Sequence, residues 1–477
     1  MRDIREWIDT LRLAGELVEI GAEVDPHLEI TEIADRVMKS PDGGKALLFT
    51  NVRGSRLPVL INQFGSWKRI NMALGVDRLE DLADRIQDLI ELQPPQGIVQ
   101  KVKALGKLKE LASFSAKTVK DGPCQEVWLT EPDLDLLPIL TCWPDDGGPF
   151  ITLPLVFSHD PRNGSRNCGM YRIQKLDART AMMHWQIHKD GAAHLRDSQG
   201  RVEVAVVIGS EPVVTYAASA PLPPGIDEMM LAGFIRGKAV EMVKCRTVDV
   251  EVPATAEIVL EGYVDATDLR PEGPFGDHTG FYTPVDDYPS FHVTGMSMRR
   301  NAVYSTTIVG KPPMEDLYLG KATERIFLPL IRMSVPDLVD MNMPMEGVFH
   351  NAILVSVKKR YPGHAKKLMN AIWGLGLLSL SRCIVVVDDD VDVQNASAVA
   401  FRAFSNVDVG RDMLVTEGPV DALDHAAPYF AYGSKVGFDA TRKWPGEGVV
   451  RPWPDEITMS DEVRALVDGR WSEYGLS

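Results

Sequence analysis

At 477 residues, with 45% hydrophobic and 25% charged side chains, the chain has a globular composition and is long enough for roughly two or three domains. Its formal net charge of −16 gives a negative average field that repels phosphate backbones and anionic lipid headgroups, which argues against nucleic acids and membrane surfaces as partners. An anionic small substrate is not excluded, because a few buried basic residues can set the potential inside a pocket.

The cysteines and the N-terminal segment indicate a cytoplasmic protein. The five cysteines are odd in number, scattered and without a CxxC pair, as expected for reduced thiols: Cys124, Cys142, Cys168, Cys245 and Cys383. Residues 1–20 mix charged and apolar side chains and lack the apolar core of a signal peptide. Apolar runs elsewhere fall far short of the roughly 18 residues of a membrane-spanning helix, so we expect no integral membrane segment.

The first part of the chain, residues 1–118, alternates amphipathic helical patterns with short apolar runs. Helices are predicted over residues 4–14, 29–39 and 79–92, and strands over residues 46–49 and 58–61. A lysine-rich helical stretch over residues 101–112 precedes a break in the helical period. This alternation predicts an N-terminal α/β domain.

The pattern changes to strands over residues 119–310 and to alternating strands and helices over residues 346–477. In the first of these regions, β-branched runs bounded by Gly, Pro and Asp surround one predicted helix, residues 227–244. A linker, residues 311–345, contains a predicted helix over residues 315–333. The C-terminal region has a βαβα pattern, typical of a parallel or mixed sheet, and closes with a polar helical arm, residues 461–474, suited to packing on another subunit.

Common catalytic signatures are absent: the sequence has no GxGxxG, P-loop, GxSxG or HExxH pattern. One candidate site is the run from Asn167 to Arg172. In a regular strand these two residues point to opposite faces, so both can serve one site only if the strand bends or bulges. Taken alone, the run is more typical of a hairpin strand with a surface arginine.

A histidine cluster follows, with His184, His188 and His194 close to Lys189. Histidine is the commonest metal ligand and also binds phosphate, although single histidines are more often structural. The spacing fits no zinc-finger template. The cluster therefore leaves a metal or phosphate site and a structural role both open.

Two acidic segments complete the candidates. Glu272 and Asp277 lie in a Gly/Pro-rich stretch near Arg270, where paired carboxylates can hold different proton affinities, so that one can donate a proton near neutral pH. The same composition is also ordinary turn chemistry. The run from Asp388 to Asp392 follows a predicted buried strand; it could bind a hard cation, but capping of the next helix is the favoured interpretation.

Taken together and in chain order, these segments closely resemble the UbiD family of decarboxylases. The matching motifs are NCGMYRIQ at 167–174, HWQIHKDGA at 184–192, EGPFGDHTG at 272–280, KPPMED at 311–316, VVVDDDVDV at 385–393 and DATRKWPGEG at 439–448. EGPFGDHTG is the most specific of them. The resemblance implies a split β-barrel-like middle domain that binds prenylated FMN with a divalent ion, usually Mn²⁺, and K⁺.

The resemblance also implies roles for particular residues. Asn167, His188 and Glu228 would be the metal ligands, a donor set that suits manganese better than structural zinc. Arg172 would hold the substrate carboxylate, Glu272 would orient Arg172, and Asp277 would protonate the carbon, its pKa raised by burial and by Glu272. The implied contacts of the cofactor are Asn167, Met170, Tyr171, Arg172, Gln186, His188, Glu228 and Arg382.

The implied reaction is a reversible, non-oxidative decarboxylation of an aromatic or α,β-unsaturated acid, with 3-polyprenyl-4-hydroxybenzoate of quinone biosynthesis as the leading substrate. One alternative is a heteroaromatic acid such as a furoic or pyrrole acid, or a role as a carboxylase subunit. Another is a non-catalytic partner subunit that keeps the fold. A flavin prenyltransferase would supply the cofactor, and the chain would form a homo-oligomer, a dimer or a hexamer.

Overall fold

The computed structural model describes residues 1–90, 109–185, 190–198, 200–222, 226–349 and 351–476, and it has the mixed α/β architecture that the sequence predicts. A small sheet with helices comes first, a large antiparallel sheet follows, and strands alternate with helices in the last region. The domain boundaries after residues 118, 310 and 345 stay predictions. Across the described ranges, no helix is both long and apolar enough to span a membrane.

The N-terminal sheet has four strands, in spatial order Leu17–Ile20, Ala46–Phe49, Val59–Ile61 and Tyr304–Ser305. The outer pairings are parallel and the central pairing is antiparallel. The fourth strand follows the large sheet in sequence. The chain therefore returns to the N-terminal sheet just before the linker, which ties the two regions together.

Helices cover both faces of this sheet: Ile4–Leu13, Glu29–Met38, Trp67–Leu74 and Glu80–Ile90. The first buries Ile4, Trp7, Ile8 and Leu11, which recur at helical spacing, and the Asp3 side chain caps its N-terminus. The helix Trp67–Leu74 was not predicted, because its eight residues are too few to show a clear period.

The central sheet has nine strands and is open, without a closed barrel among the described residues. Eight of the strands are hydrogen-bonded one after another in a single row. The ninth, Val127–Leu129, pairs with Asp286–Met298 as a branch from that row. In spatial order, the strands of this row are Phe150–Ile151, Ile173–Lys175, Thr180–Met183, Asp286–Met298, Ile258–Glu272, Arg201–Ile208, Pro154–His159 and Arg166–Met170. Lys117–Val119, Glu241–Lys244 and Glu251–Pro253 form a separate three-stranded sheet, and Asp190–Asp197 and Pro212–Ala217 are helices.

The middle helix is shorter than predicted. It covers Glu228–Arg236 and ends where Gly237 adopts a φ of +73°, a left-handed conformation that glycine tolerates without steric cost. Residues Glu241–Lys244, predicted as the end of this helix, are instead a strand. The prediction was wrong because the apolar spacing continues beyond the glycine that stops the helix.

The C-terminal region begins with the helix Glu315–Ser334, called here the linker helix. Its five-stranded sheet confirms the βαβα prediction, with three neighbouring parallel strands and an antiparallel strand at each edge. In spatial order the strands are Leu338–Asn342, Ala352–Val357, Cys383–Asp388, Tyr432–Asp439 and Met413–Pro419. The helices are His364–Trp373, Ala396–Asn406, Val409–Asp412 and Asp461–Gly469.

The acidic run after Cys383–Asp388 does not cap the next helix, so the favoured interpretation was wrong. Asn395 is the N-cap of Ala396–Asn406 and accepts a hydrogen bond from the backbone N–H of Ala398. Asp388 instead accepts a hydrogen bond from the backbone of Arg442 at 2.7 Å. The acids nearest the strand thus join C-terminal loops together, while a neutral amide begins the helix.

Candidate active site

The loop that carries the two acids begins at Glu272, the last residue of the strand Ile258–Glu272, and ends at Thr283; we call it the acid loop. The loop contains the two-stranded pairing of Phe275–Gly276 with Tyr282–Thr283. A β-carbon at Gly276 would lie 2.1 Å from the Trp143 ring, so only glycine fits there. The close packing holds the middle of the loop in place.

Three hydrogen bonds fix the acid loop on neighbouring segments. The backbone N–H of Gly147 donates to the Pro274 carbonyl at 2.7 Å, and the N–H of Gly273 donates to the Gln174 side chain at 2.7 Å. The N–H of Gly276 donates to Asp146 Oδ1 at 2.8 Å. Because the contacts lie between its two acids, the loop presents Glu272 and Asp277 from a fixed frame.

Arg172 brings the two acids together. Its Nε and Nη2 donate to the two carboxylate oxygens of Glu272 at 2.8 and 3.0 Å, and its Nη1 donates to Asp277 Oδ2 at 2.5 Å. Nη2 also donates to Thr283 Oγ1, and the guanidinium carbon lies 4.5 Å from the centre of the Phe275 ring. The side chains of Arg172, Glu272 and Asp277 are only 9%, 0% and 8% exposed, so the three predicted catalytic residues form one buried cluster.

A break in the strand explains how Arg172 reaches this cluster. The strand Arg166–Met170 ends two residues before Arg172, and the next strand, Ile173–Lys175, starts directly after it. Strict alternation of side chains therefore does not connect Asn167 to Arg172. The strand is therefore interrupted between Asn167 and Arg172, as it must be if both side chains are to serve one site.

The charges of the cluster favour two ionised acids. Burial opposes ionisation of Glu272, but hydrogen bonds from His184 and Arg172 lower its pKa overall. Burial likewise opposes ionisation of Asp277, yet His278 and Arg172 hold its pKa well below the usual range. The sequence-based expectation of a raised Asp277 pKa was wrong, because the positive partners outweigh burial and the negative charge of Glu272.

Two histidines complete the cluster. His184 Nδ1 lies 3.2 Å from Glu272 Oε2, and its ring stacks on Tyr288 with centroids 4.2 Å apart. His278 Nδ1 lies 2.8 Å from Asp277 Oδ1. The sequence analysis placed His184 in the histidine cluster but assigned no role to His278. The only sequence signal for His278 was its position directly after the predicted acid Asp277.

Two of the three predicted metal ligands lie on adjoining segments. Glu228 is the first residue of the middle helix, and its Oε2 accepts a hydrogen bond from the backbone N–H of Cys168, next to Asn167, at 3.0 Å. The buried amide nitrogen of Asn167 has no hydrogen-bond partner among the described residues, so it can donate to an oxygen of a bound phosphate. The amide oxygen of Asn167 and the carboxylate of Glu228 are oxygen ligands of the kind that a hard cation takes.

The third predicted ligand, His188, and the predicted cofactor contact Gln186 lie outside the described residues. Within the part of the chain that is described, no three His, Cys, Asp or Glu side chains are grouped closely enough to hold a metal by themselves. The structure therefore brings the segments of Asn167 and Glu228 together and leaves the complete ligand set a prediction.

The remaining predicted cofactor contacts lie on two regions. Met170 ends its strand, and the buried Tyr171 follows it with its hydroxyl oxygen 3.4 Å from the N–H of Gly191. Arg382 lies in the C-terminal region, where its Nη1 donates to both carboxylate oxygens of Asp424 at 2.8 and 3.1 Å. Met170 and Tyr171 are thus close in the chain to Arg172, whereas Arg382 is held within the C-terminal region.

The C-terminal region touches the acid loop. Phe281 stacks on His425 with ring centroids 4.0 Å apart, and the His278 ring lies 5.6 Å from that of Phe349. Phe349 follows the linker helix in sequence, and His425 precedes the strand Tyr432–Asp439. The cluster around Asp277 is therefore enclosed by side chains from both the central and C-terminal regions.

Family models match this chain in three consecutive segments. All three models describe domains of 3-octaprenyl-4-hydroxybenzoate carboxy-lyase. The model of the N-terminal domain matches residues 8–89, that of the Rift-related domain matches residues 117–312, and that of the C-terminal domain matches residues 317–440. An uncharacterized protein of Archaeoglobus fulgidus is 50% identical over 476 residues, which cover 99% of this chain and 98% of that protein. The matches include both the acid loop and the region around Asn167.

Solved structures share the fold over nearly the whole chain. The closed form of vanillic acid decarboxylase from Sedimentibacter hydroxybenzoicus has a TM-score of 0.87 at 24% identity and covers 100% of this chain and 99% of its own. The UbiD-class enzyme HmfF from Pelotomaculum thermopropionicum, in complex with FMN, has a TM-score of 0.79 at 28% identity, with 97% and 98% covered. An evolved dimeric form of HmfF is in complex with prFMN.

Proposed function

This chain belongs to the UbiD family and is a carboxy-lyase, and on that premise we propose that it decarboxylates an aromatic or α,β-unsaturated carboxylic acid with prenylated FMN, Mn²⁺ and K⁺. The observation that carries the proposal is the buried cluster in which Arg172 contacts both Glu272 and Asp277. A guanidinium fixed between two acids of one rigid loop combines a group that binds a carboxylate with a nearby group that can move a proton.

Arg172 is the proposed anchor of the substrate carboxylate. Glu272 occupies the Nε and Nη2 side of the guanidinium through two hydrogen bonds, which fix the direction of Nη1. Nη1 faces Asp277, so a substrate carboxylate on Nη1 lies close to the proposed proton donor. This arrangement positions the bond to be broken and the acid that completes the reaction at one place.

Prenylated FMN, when bound, supplies the electron sink that loss of CO₂ from an sp² carbon requires. Asn167, His188 and Glu228 are its proposed link through Mn²⁺, and Met170, Tyr171, Gln186 and Arg382 are further proposed contacts. The complexes of HmfF with FMN and, in its evolved form, with prFMN support this assignment. A flavin prenyltransferase is then needed as the source of the cofactor.

An aromatic hydroxy acid such as 3-polyprenyl-4-hydroxybenzoate is the proposed substrate class. The descriptions of the three matching family models support it. The second candidate is a heteroaromatic acid or a carboxylase subunit role. A non-catalytic partner subunit is disfavoured, because an inert copy has no need to keep two acids and an arginine buried at hydrogen-bonding distance.

A substrate panel tests the proposal. Protein reconstituted with prenylated FMN, Mn²⁺ and K⁺ is incubated with hydroxybenzoic, furoic, pyrrole-carboxylic and cinnamic acids, and CO₂ release is measured against protein loaded with FMN alone. We expect release from hydroxybenzoic acids with prenylated FMN only. Release from the heteroaromatic acids alone would favour the second candidate, and loaded protein that releases CO₂ from none of them would contradict the proposal.

The metal assignment predicts that the protein retains Mn²⁺ only when the flavin phosphate is also bound. Asn167 and Glu228 come from separate segments, and a site assembled from protein and phosphate oxygens lacks a full ligand set without the phosphate. His188→Ala and Glu228→Gln should each lower Mn²⁺ retention at least about tenfold in FMN-loaded protein. Metal content after gel filtration measures this.

Glu126→Gln is the matched control for the metal variants, because Glu126 is a surface carboxylate that contacts the backbone of Arg300. It should retain as much Mn²⁺ as the unchanged protein. Full retention by His188→Ala, or tight binding of Mn²⁺ to flavin-free protein, would refute the ligand assignment.

The C-terminal arm predicts a homo-oligomer with at least two copies. The helix Asp461–Gly469 buries none of its residues, and apolar side chains along the arm are exposed: Val463, Leu466, Trp471, Tyr474 and Leu476. A second copy of the chain is the proposed cover for this apolar surface. Light scattering should give at least a dimer, and deletion of residues 461–477 should lower the number of chains per particle. A full-length chain that is a monomer, with the same assembly state after the deletion, would contradict the prediction.

A further inference from the structure

His278 lies on the opposite side of Asp277 from Arg172. Asp277 Oδ2 accepts from Arg172 Nη1, while Asp277 Oδ1 faces His278 Nδ1 at 2.8 Å and accepts from the backbone N–H of His278 at 2.7 Å. An ionised carboxylate can only accept hydrogen bonds. The ring nitrogen that faces Asp277 therefore carries a hydrogen, directed at the carboxylate oxygen that Arg172 does not use.

Acidic groups face the His278 ring from three segments. Asp277 belongs to its own loop, Asp316 to the first turn of the linker helix, and Asp421 to the C-terminal region. Burial disfavours the charged ring, but its hydrogen bond with Asp277 and the charges of the three acids raise the pKa of His278 to about 8. The other residues of the small cavity beside the ring, Phe349 among them, are uncharged, and Arg172 contacts the far oxygen of Asp277. At neutral pH the ring is thus an imidazolium.

The reaction needs a proton that Asp277 does not hold at rest. Decarboxylation of a carboxylate converts R–COO⁻ and one H⁺ into R–H and CO₂, so each turnover consumes one proton. Arg172 and His278 keep Asp277 ionised. Glu272 is also ionised, since its pKa is lowered. Because the guanidinium of Arg172 does not give up its protons, the nearest proton that can be transferred to Asp277 is the one on His278 Nδ1.

We propose that His278 is a positioning residue that acts through Asp277 and supplies it with the proton for each turnover, an inference that rests on the proposed function. The Nδ1–H bond of the imidazolium breaks as the O–H bond of Asp277 forms at Oδ1. Asp277 then gives this proton to the carbon that has lost CO₂. The neutral imidazole takes up a proton from solvent and returns to its starting state, so atoms and charges balance.

Substrate binding favours this transfer. A substrate carboxylate on Arg172 competes with Asp277 for the guanidinium, which removes part of the positive charge that keeps Asp277 ionised.

The positive charge on His278 also affects how the cluster receives an anionic substrate. Arg172 and His278 together balance Glu272 and Asp277, so the cluster does not repel an incoming anion as two acids with one arginine would.

The test compares wild type, His278→Asn and the control His27→Asn, an exposed histidine of the N-terminal region, as loaded enzymes. Asparagine keeps a side-chain N–H donor but cannot take up a proton. Wild type and the control should lose kcat as pH rises through about 8, the pKa of His278. His278→Asn should lose about 10²-fold or more of kcat at pH 7 and show no such alkaline decline, with flavin content and KM close to those of wild type.

A titration without substrate gives a second readout. In protein labelled with ¹³C at the histidine Cε1 position, the signal missing from His278→Asn should titrate near pH 8 in wild type and at lower pH in Asp277→Asn. A signal that titrates below pH 6, or an unchanged pH profile of kcat in His278→Asn, would overturn the proposal. Loss of kcat with the alkaline decline intact would overturn it too, since that indicates a purely structural role.

The role of His278 can fail while the proposed function stands, and the experiments distinguish the two failures. If loaded wild type releases no CO₂ from any acid of the panel, both the proposed function and the proton supply through His278 are contradicted. If wild type is active and His278→Asn behaves like wild type, only the role of His278 is contradicted.

Discussion

Arg172→Ala should reduce kcat/KM by about 10²- to 10⁴-fold, because two charge-assisted hydrogen bonds to a substrate carboxylate contribute about 1.5–3 kcal/mol each. It also leaves Glu272 and Asp277 as buried acids without their shared cation, which costs about 3–5 kcal/mol of folding stability when a buried pair is broken. Steady-state kinetics and thermal unfolding of the loaded enzyme measure the two effects.

Two controls separate substrate binding from stability. Arg172→Lys keeps the positive charge but not the planar fork that contacts both oxygens of Glu272, so it should recover stability more than activity. Arg179→Ala removes an exposed arginine that contacts Glu131, and should change stability by less than about 1 kcal/mol with wild-type kinetics. Wild-type kcat/KM in a folded Arg172→Ala enzyme would exclude Arg172 as the carboxylate anchor.

Asp277→Asn should bind cofactor and substrate but lose turnover by about 10²- to 10⁴-fold, the usual contribution of a positioned proton donor. Asparagine has nearly the same shape as aspartate, but its amide cannot pass the proton from His278 to carbon. We therefore expect the variant to stall after CO₂ has left. Exchange of the product's ring or vinyl hydrogen in deuterated buffer isolates the protonation step from C–C bond cleavage.

Glu272→Gln is the comparison for this second prediction. The glutamine amide can accept only one of the two hydrogen bonds that Arg172 donates to Glu272. The variant should therefore disturb the orientation of Arg172 and raise KM, while hydrogen exchange in the product continues. Wild-type exchange rates in Asp277→Asn would move the proton donor to another group. Loss of exchange in Glu272→Gln alone would assign that role to Glu272.

The sequence predicted the members of the buried cluster of Arg172, Glu272 and Asp277 better than the protonation states of its acids. The spacing of Glu272 and Asp277 in a Gly/Pro-rich loop indicated paired acids, and the resemblance added Arg172. The sequence showed that a shared site needs a break in the strand before Arg172, but it did not predict the break itself. Where a strand ends depends on backbone hydrogen bonds with segments distant in sequence. The lowered pKa of Asp277 was missed because it depends on how the His278 ring is turned onto the carboxylate and on Arg172, which lies far from Asp277 in the chain.

The same physical limit explains the errors in the fold. Apolar spacing predicted the helices at both ends of the chain, but it continued past Gly237, where backbone conformation decides that the middle helix stops. The return of Tyr304–Ser305 to the N-terminal sheet leaves no local pattern, because its partner Val59–Ile61 lies in another region. Local periodicity predicts elements, while pairing between distant segments decides where they end and join.

The fate of the carbon that loses CO₂ tests the proposed decarboxylation most directly. Enzyme loaded with prenylated FMN, Mn²⁺ and K⁺ is supplied with a hydroxybenzoic acid in deuterated buffer, and CO₂ and product are measured together by mass spectrometry. We expect one CO₂ for each product molecule and one deuterium at the carbon that carried the carboxylate, with neither CO₂ nor deuterated product formed by Arg172→Ala. Fully loaded wild-type enzyme that releases no CO₂ from any acid of the panel, or an Arg172→Ala enzyme that releases it at the wild-type rate, would contradict this expectation.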